Sequence, residues 1–450
     1  MSNPIEQEAL LSLCEQGVQA ALKAGADQAE VFATSHTESE ANLEKNDLNQ
    51  TSCVQETTFG IRVIQNGAVG FCTSNQPEAL DSAAKEALEL AKISPPDPLN
   101  GLPEGGEIQR CAPAVDPALL QISVPELTEL CMNLMEETRA IDSRLTIDSG
   151  SLSIAHGTQA IASSTGIRAA FEGARAGGYL FGMCVDGDTV GSFSYDGDTT
   201  RDAAQLLPLL QAAFARFAEK CGGALGAQRG ESFRGTVILP PDTVQEFLIG
   251  NLMGVLGADT VRLGNSPFAE KVGQAIASPL FTLVEEGPGL AQFPMAPFDR
   301  EGCLRQRTPL ISEGVLNGFL YNAYEARAAG KVSTGHASGG AASMPKVGAS
   351  SLSLAAGTTP LSHLLKVDQA IVVTRFSGST NPITGDFSGV IKGGFLLKNG
   401  ERTAIEETTM AGNLYDCLKN ISAVSKERRV MNGSVAMPTI RIEDVSVTAG

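Results

Sequence analysis

The chain has 450 residues, 42% hydrophobic and 19% charged, which is enough for two or three domains with a sizeable core and excludes general disorder. Its formal net charge of -18 would repel a phosphate backbone, and no dense Lys/Arg block offsets it, so direct nucleic-acid binding is not expected. The nearest basic cluster, Lys426, Arg428 and Arg429, reads as solvated surface, and nine scattered cysteines without a CxxC pair read as reduced, mostly buried thiols.

The N-terminus, MSNPIEQEALL, lacks the basic flank of a secretory signal, and the most apolar helical run, 247–258, is interrupted by Asn251 and too short to span a bilayer. A cytoplasmic chain with no membrane partner is the expectation. Asn3 can cap a first helix with Pro4 at its first position, and Ile5, Ala9, Leu10, Leu13, Ala20 and Ala21 give it an amphipathic stripe that Gly25 ends. AEVFATS alternates like a strand. A polar stretch containing His36 reads as a loop and leads to TTFGIRVIQNGAVGFCTSN, where Asn66-Gly67 joins two strands in a hairpin. Pro77 opens a second helix, and the Pro/Gly-rich segment 94–111, with SPPDPLNGLP at its start, is the candidate linker.

A helix over 125–141 carries Leu127, Leu130, Leu134 and Met135 at helical spacing, and short strands with Gly-rich turns follow as in an antiparallel meander, with His156 in a turn beside Gly157. Another amphipathic helix, 202–221, is kinked or delayed by Pro208. These features place an N-terminal α+β domain at 1–228, made of segments 1–93 and 112–228 joined by the linker, and a strand-rich domain at 229–450. The fold class is α+β: antiparallel sheets flanked by helices, then a mixed, strand-rich C-terminal half.

In that half, RGTVILPP is a strand, and DTVQEFLIGNLMGVLG is a helix apolar around most of its circumference, which belongs in a core or a subunit interface. Glu313-Gly314 and Asn399-Gly400 mark turns, the latter a type I′ hairpin within GGFLLKNGERTAI. A short helix opens at Met410-Ala411-Gly412-Asn413, and MPTIRIEDVSVTAG forms the last strand.

Chemistry is sparse. The four histidines, His36, His156, His336 and His363, form no HExxH or HExxxH array, and neither a G-x-S-x-G elbow nor a nucleotide-binding glycine motif occurs. Three of the histidines read as surface or satisfied structural residues. His336, in the small-residue segment STGHASGG, is a candidate for the wall of a peptide groove; Asp386 and Asn413 are the others, though Asp386 equally ties its own turn. No catalytic residue is assigned.

The stretch STNPITGDFSGVIKGGFLLKNGE with TMAGNLYDCLKNI, together with STGHASGG and GIRVIQNGAVGFCTSN, resembles the TldD/PmbA family, also labelled modulator of DNA gyrase. In the TldD branch an HExxxH helix and a later cysteine hold a catalytic metal. The resemblance aligns that motif with Ile249, Gly250 and Gly254 here, and 425–437 contains no cysteine, so no metal site is expected in this chain. That departure resembles the PmbA/TldE branch. The resemblance implies a subunit of a cytosolic metalloprotease for small unfolded or extended peptides, with zinc in a TldD-like partner and family roles in antitoxin degradation and peptide-antibiotic maturation. A homodimer is possible without the partner. Two alternatives stay open: an independent peptidase with a non-zinc site, and a non-enzymatic peptide-binding or assembly protein that self-associates through 247–258.

Overall fold

Two sheets organise the chain in the computed structural model, which describes residues 4–105 and 112–449. The first helix, α1 (Gln7–Ala24), turns Leu10, Cys14, Val18 and Ala21 to the core and ends at Gly25, whose φ of 108° suits glycine. It starts at Gln7 behind Glu6, so Pro4 precedes it, and the cap expected at Asn3 lies outside the described residues.

Strands β1 (Gln28–Glu44) and β2 (Asp47–Gln65) run far beyond their apolar halves. The polar stretch read as a loop is the outer part of this hairpin: His36 sits in β1 opposite Glu56, and the chain reverses at Lys45 and Asn46, both at positive φ. Alternation persists there with polar residues, since Ser35, Thr37 and Ser39 are buried in phase with Ala33, Ala41 and Leu43. Asn66-Gly67 joins β2 to β3 (Ala68–Ser74), as the turn chemistry predicts. Helix α2 (Leu80–Ile93) packs Leu80, Ala84, Ala87 and Leu88 into the same core as α1.

Helix α3 (Val124–Ile141) opens with a capping box between Ser123 and Glu126. Strands β4 (Leu145–Ser163) and β5 (Arg168–Asp186) then extend the first sheet rather than start another, because β4 pairs with β1 from Glu30↔Ser163 to Glu44↔Ser149. The order is β3-β2-β1-β4-β5, with β6 (Ser194–Thr200) against β5. His156 is therefore mid-strand, not in a turn, and its Nε2 lies 2.8 Å from Glu172 Oε1. Helix α4 (Ala203–Gly223) continues through Pro208 and covers the sheet with Phe214 and Phe217.

Of the linker segment 94–111, residues 106–111 lie outside the described residues. The stretch before them is pinned to the second half: Tyr324 Oη donates to Asp97 Oδ2 at 2.7 Å and Arg327 Nε to Leu99 O at 2.8 Å.

The second sheet is mixed, with β12 (Val435–Ala449) at its centre, antiparallel to β7 (Phe233–Leu239) and β11 (Ile421–Met431) and parallel to strand Leu352–Leu354. Strand β8 (Arg375–Thr380) pairs with β9 (Asp386–Lys392), which pairs with β10 (Thr408–Asn413). Residues 410–413, expected to open a helix, are instead the end of β10, held in register by β9 and β12; helix α5 (Leu414–Lys419) begins one residue later with Asn413 as its cap. The hairpin at Asn399-Gly400 forms as expected.

Helix 241–253 leaves β7 and passes through a π-helical segment, Val244–Ile249. Phe247, Leu248, Ile249 and Leu252 are buried in this chain's own C-terminal core, where the Phe247 ring meets Phe376 and Phe387 at 4.7 and 4.9 Å. Its apolar face is thereby occupied, which removes the surface on which self-association through 247–258 would depend. Among the described residues no helix is long and apolar enough to cross a membrane.

A buried ionic chain docks the halves on each other. Arg62 in β2 reaches Glu30 at 2.7 Å and Glu301 at 2.9 Å, and Arg300 reaches the other oxygen of Glu30 at 2.9 Å; all four side chains are almost wholly excluded from solvent. Arg300 also lies 4.3 Å from the centre of the Phe32 ring. Beside it, a Cβ on Gly60 would stand 2.0 Å from the carbonyl oxygen of Ala341, so only glycine allows this approach. Replacing Arg62 with Met should leave Glu301 buried without its cation and Glu30 with Arg300 alone, a loss of about 3–5 kcal/mol. Thermal unfolding of Arg62→Met against the parent checks this through a clear fall in midpoint.

Candidate functional site

The helix aligned with the metal motif contributes no donor. Ile249 is 1% exposed in the core, and Gly250 and Gly254, although on the surface, have no side chains. Among the described residues no group of three or more His, Cys, Asp or Glu is placed to hold a metal ion. In 425–437, Ser425 is buried, donating to Glu427 O and accepting from Thr439 N. A catalytic zinc needs three protein ligands, typically His, Glu or Cys, and the residues here do not fit one.

The polar side of the same helix faces a cleft of about 620 Å³ between the two sheets. Its floor is the face of β4, β5 and β6, where Ser151, Ser153, Gly177 and Gly197 keep the surface low. Gln245 and Glu246 from the helix, with Phe293, Met431 and Asn432, form the opposite wall. Strand β8 pairs only with β9 among the described strands, and none of its residues lines the cleft.

Charge in the cleft is dense, and apart from Arg175 it is paired or hydrogen-bonded. Buried Asp196 accepts from Arg216 at 2.9 Å and Lys220 at 2.7 Å, and Lys220 also reaches Asp242 at 3.0 Å. Arg429 hydrogen-bonds Asp242, so this arginine, read from sequence as solvated surface, is part of the cleft; its neighbour Arg428 donates to Ser353 Oγ at 2.9 Å. Burial pushes the Asp242 carboxyl up, but Lys220 and Arg429 outweigh that and hold it below its ordinary value. Burial raises Asp198, which accepts from Asn432 N at 2.7 Å and so ties β6 to the β11–β12 turn. Tyr195 donates to Glu246, and burial followed by that carboxylate raises its phenol. This arrangement offers hydrogen-bonding groups, aromatic faces and a low floor, and its lining holds no histidine or cysteine.

Of the residues singled out from sequence, His336 is fully buried outside the cleft wall. Its Nδ1 lies 2.9 Å from Thr334 Oγ1, and its Nε2 lies 3.7 Å from Glu285 Oε1 without a hydrogen-bond partner. Asp386 and Asn413 are brought together as a cross-strand pair, with Asn413 Nδ2 donating to Asp386 Oδ1 at 2.9 Å. Asn413 Oδ1 accepts from Tyr415 N at 3.0 Å and Asp386 Oδ2 from Thr384 Oγ1 at 2.9 Å, so both side chains secure the 381–386 turn and the start of α5. The cleft residues Tyr195, Asp196, Asp242 and Glu246 escaped notice because they are scattered through the chain; the only sequence signal was the basic cluster at Arg429.

With this geometry in view, comparison with known proteins is informative. Residues 232–449 match the family model of the PmbA/TldA metallopeptidase C-terminal domain, and residues 29–91 match that of the PmbA/TldA metallopeptidase domain 1. The fold is therefore that of a metallopeptidase scaffold, whatever ligands its helix carries. The chain belongs to the PmbA/TldD family. It is 26% identical to Metalloprotease PmbA of Escherichia coli O157:H7, over 97% of each chain. It is 28% identical to the Metalloprotease TldD homolog of Buchnera aphidicola, over 43% of each. Among solved structures, TldE from Thermococcus kodakarensis superposes with a TM-score of 0.88 at 25% identity, covering 97% of this chain and 100% of that one.

The depressed Asp242 carboxyl makes a pH prediction. A folded-state value below the unfolded one contributes stability above about pH 4 that is lost as pH falls through the folded value. Asp242→Asn should therefore unfold at lower temperature than the parent at neutral pH, and the two should converge in acid. Thermal midpoints measured between pH 2 and 7 check it.

Proposed function

We propose that this chain is the non-catalytic, PmbA/TldE-type subunit of a cytosolic TldD/TldE-type metalloprotease acting on small unfolded or extended peptides. The observation that carries this reading is the absence of any metal donor at Ile249, Gly250 and Gly254, in a helix whose fold is otherwise complete. The partner, a TldD-like chain, would hold the zinc and activate the water, and this chain would supply part of the enclosing chamber. The full-length likeness to PmbA and TldE proteins, against a partial likeness to TldD homologues, supports this assignment.

The polar cleft supports the peptide-binding part of the reading. An extended peptide presents backbone donors and acceptors at regular spacing; outside the cleft lining, the edge of β8 that no described strand covers could also meet them by strand addition. Ser, Gly and aromatic groups on the cleft wall suit side chains of varied size. Antitoxin degradation and maturation of a peptide antibiotic are the roles that family membership brings forward for such a complex.

The test is peptide cleavage with metal analysis on the purified chain alone and after co-expression with a TldD-like subunit from the same organism. Cleavage and roughly one metal per heterodimer are expected only in the co-expressed sample. Cleavage with bound metal in the chain alone would overturn the assignment.

A further inference from the structure

A second cavity, about 600 Å³, adjoins the cleft on the same face of the first sheet, and Arg175 of β5 lines both. Arg201, which follows the last residue of β6, is on the wall of this second cavity. Its guanidinium rests against Gly173, where an added Cβ would stand 2.6 Å from Nη1, and against the Phe293 ring, 4.3 Å from its centre. Nη1 donates to Ala174 O at 2.8 Å, whereas Nε is buried without a hydrogen-bond partner.

Neither arginine meets a carboxylate among the described residues. Glu38 is the one carboxylate on the wall of this cavity and ion-pairs with neither. In the adjoining cleft, Asp196 and Asp242 are taken by Arg216, Lys220 and Arg429, and Glu246 by Tyr195. Burial, and then the charge of Arg175, push Arg201 down to about 10. A purely structural clip would account for the Ala174 bond and the ring contact. It leaves unexplained why a second cation lines the same cavity while neither is paired with a carboxylate among the described residues.

We propose that Arg175 and Arg201 form a carboxylate-binding subsite that holds an anionic group of a peptide lying in the adjoining cleft. The inference rests on the reading that the cleft takes peptides. A guanidinium fork matches a carboxylate's two oxygens; Arg201, half-buried against Phe293, binds one more strongly than a surface lysine would, and Arg175, exposed on the shared wall, adds its charge. The carboxylate is either the α-carboxylate at a peptide C-terminus or an Asp/Glu side chain, since both present the same two oxygens.

Fluorescence anisotropy tests this with three labelled Ala/Ser/Gly decapeptides: one with a free C-terminus, one amidated, and one amidated with an internal Glu. Each is titrated with the full-length chain, alone and co-purified with its TldD-like partner, for the parent, Arg175→Gln, Arg201→Met and Arg201→Lys. The parent should prefer at least one carboxylate-bearing peptide over the neutral one by about tenfold or more, and which one it prefers identifies the source. Arg175→Gln and Arg201→Met should each erase that preference, Arg201→Met while leaving affinity for the neutral peptide unchanged, and Arg201→Lys should retain part of it. Thermal unfolding of each variant confirms that it is folded. Equal binding of all three peptides by the parent, a preference that survives in folded Arg175→Gln or Arg201→Met, or loss of neutral and acidic peptides alike in folded Arg201→Met, would overturn the subsite while the peptide-binding reading stands. No binding of any peptide in either form would overturn both.

Discussion

Burying a guanidinium removes it from water at a cost of several kcal/mol unless carboxylates surround it, and Arg62 meets that condition only when the two halves of the chain are docked. Its partners come from both sides, Glu30 from the first sheet and Glu301 from a loop of the second half, and Arg300 closes the chain on Glu30. Few relative positions of the halves satisfy all four charges together. The backbone approach between Gly60 and Ala341 adds a steric condition at the same junction. The cleft and its neighbouring cavity both lie between surfaces whose separation this junction sets, so their shapes follow from it.

The helix that follows β7 shows how one scaffold can serve different chemistry. Its π-helical segment directs Phe247 and Ile249 into the core while Gln245 and Glu246 remain at the cleft. Nothing in its packing requires a metal: the aromatic contacts with Phe376 and Phe387 anchor it on one side, and the hydrogen bond from Asn251 Nδ2 to Phe247 O, 2.6 Å, ties its own turns. A chain with such a helix keeps the architecture of the family while placing Ile249, Gly250 and Gly254 in it. The paired charges around Asp196 and Asp242 tie β6 and α4 to the start of this helix.

Much of the local structure could be read from residue order because local physics decides it. Asn-Gly pairs at 66–67 and 399–400 turn where positive φ is needed, and helices with apolar residues every third or fourth position form where the stripe predicts. The misreadings share one cause. The outer half of the first hairpin is polar on both faces, so nothing in its composition separates it from a loop; pairing with β2 and β4 makes it a strand. Residues 410–413 are extended for the same reason, being clamped between β9 and β12.

The sequence by itself determined the α+β class, the hairpins, the absence of metal donors at 249, 250 and 254, and the family, because turn chemistry, hydrophobic period and ligand identity are properties of neighbouring residues. The tertiary structure alone decided the cleft. Its floor comes from β4, β5 and β6, its wall from helix 241–253 and the turn near Asn432, and its cations from Arg175 and Arg429, 254 positions apart. It also decided that His336 is buried and that Asp386 and Asn413 secure a turn. Charge pairing and burial act through space, and no pattern along the chain reports which distant side chains will share it.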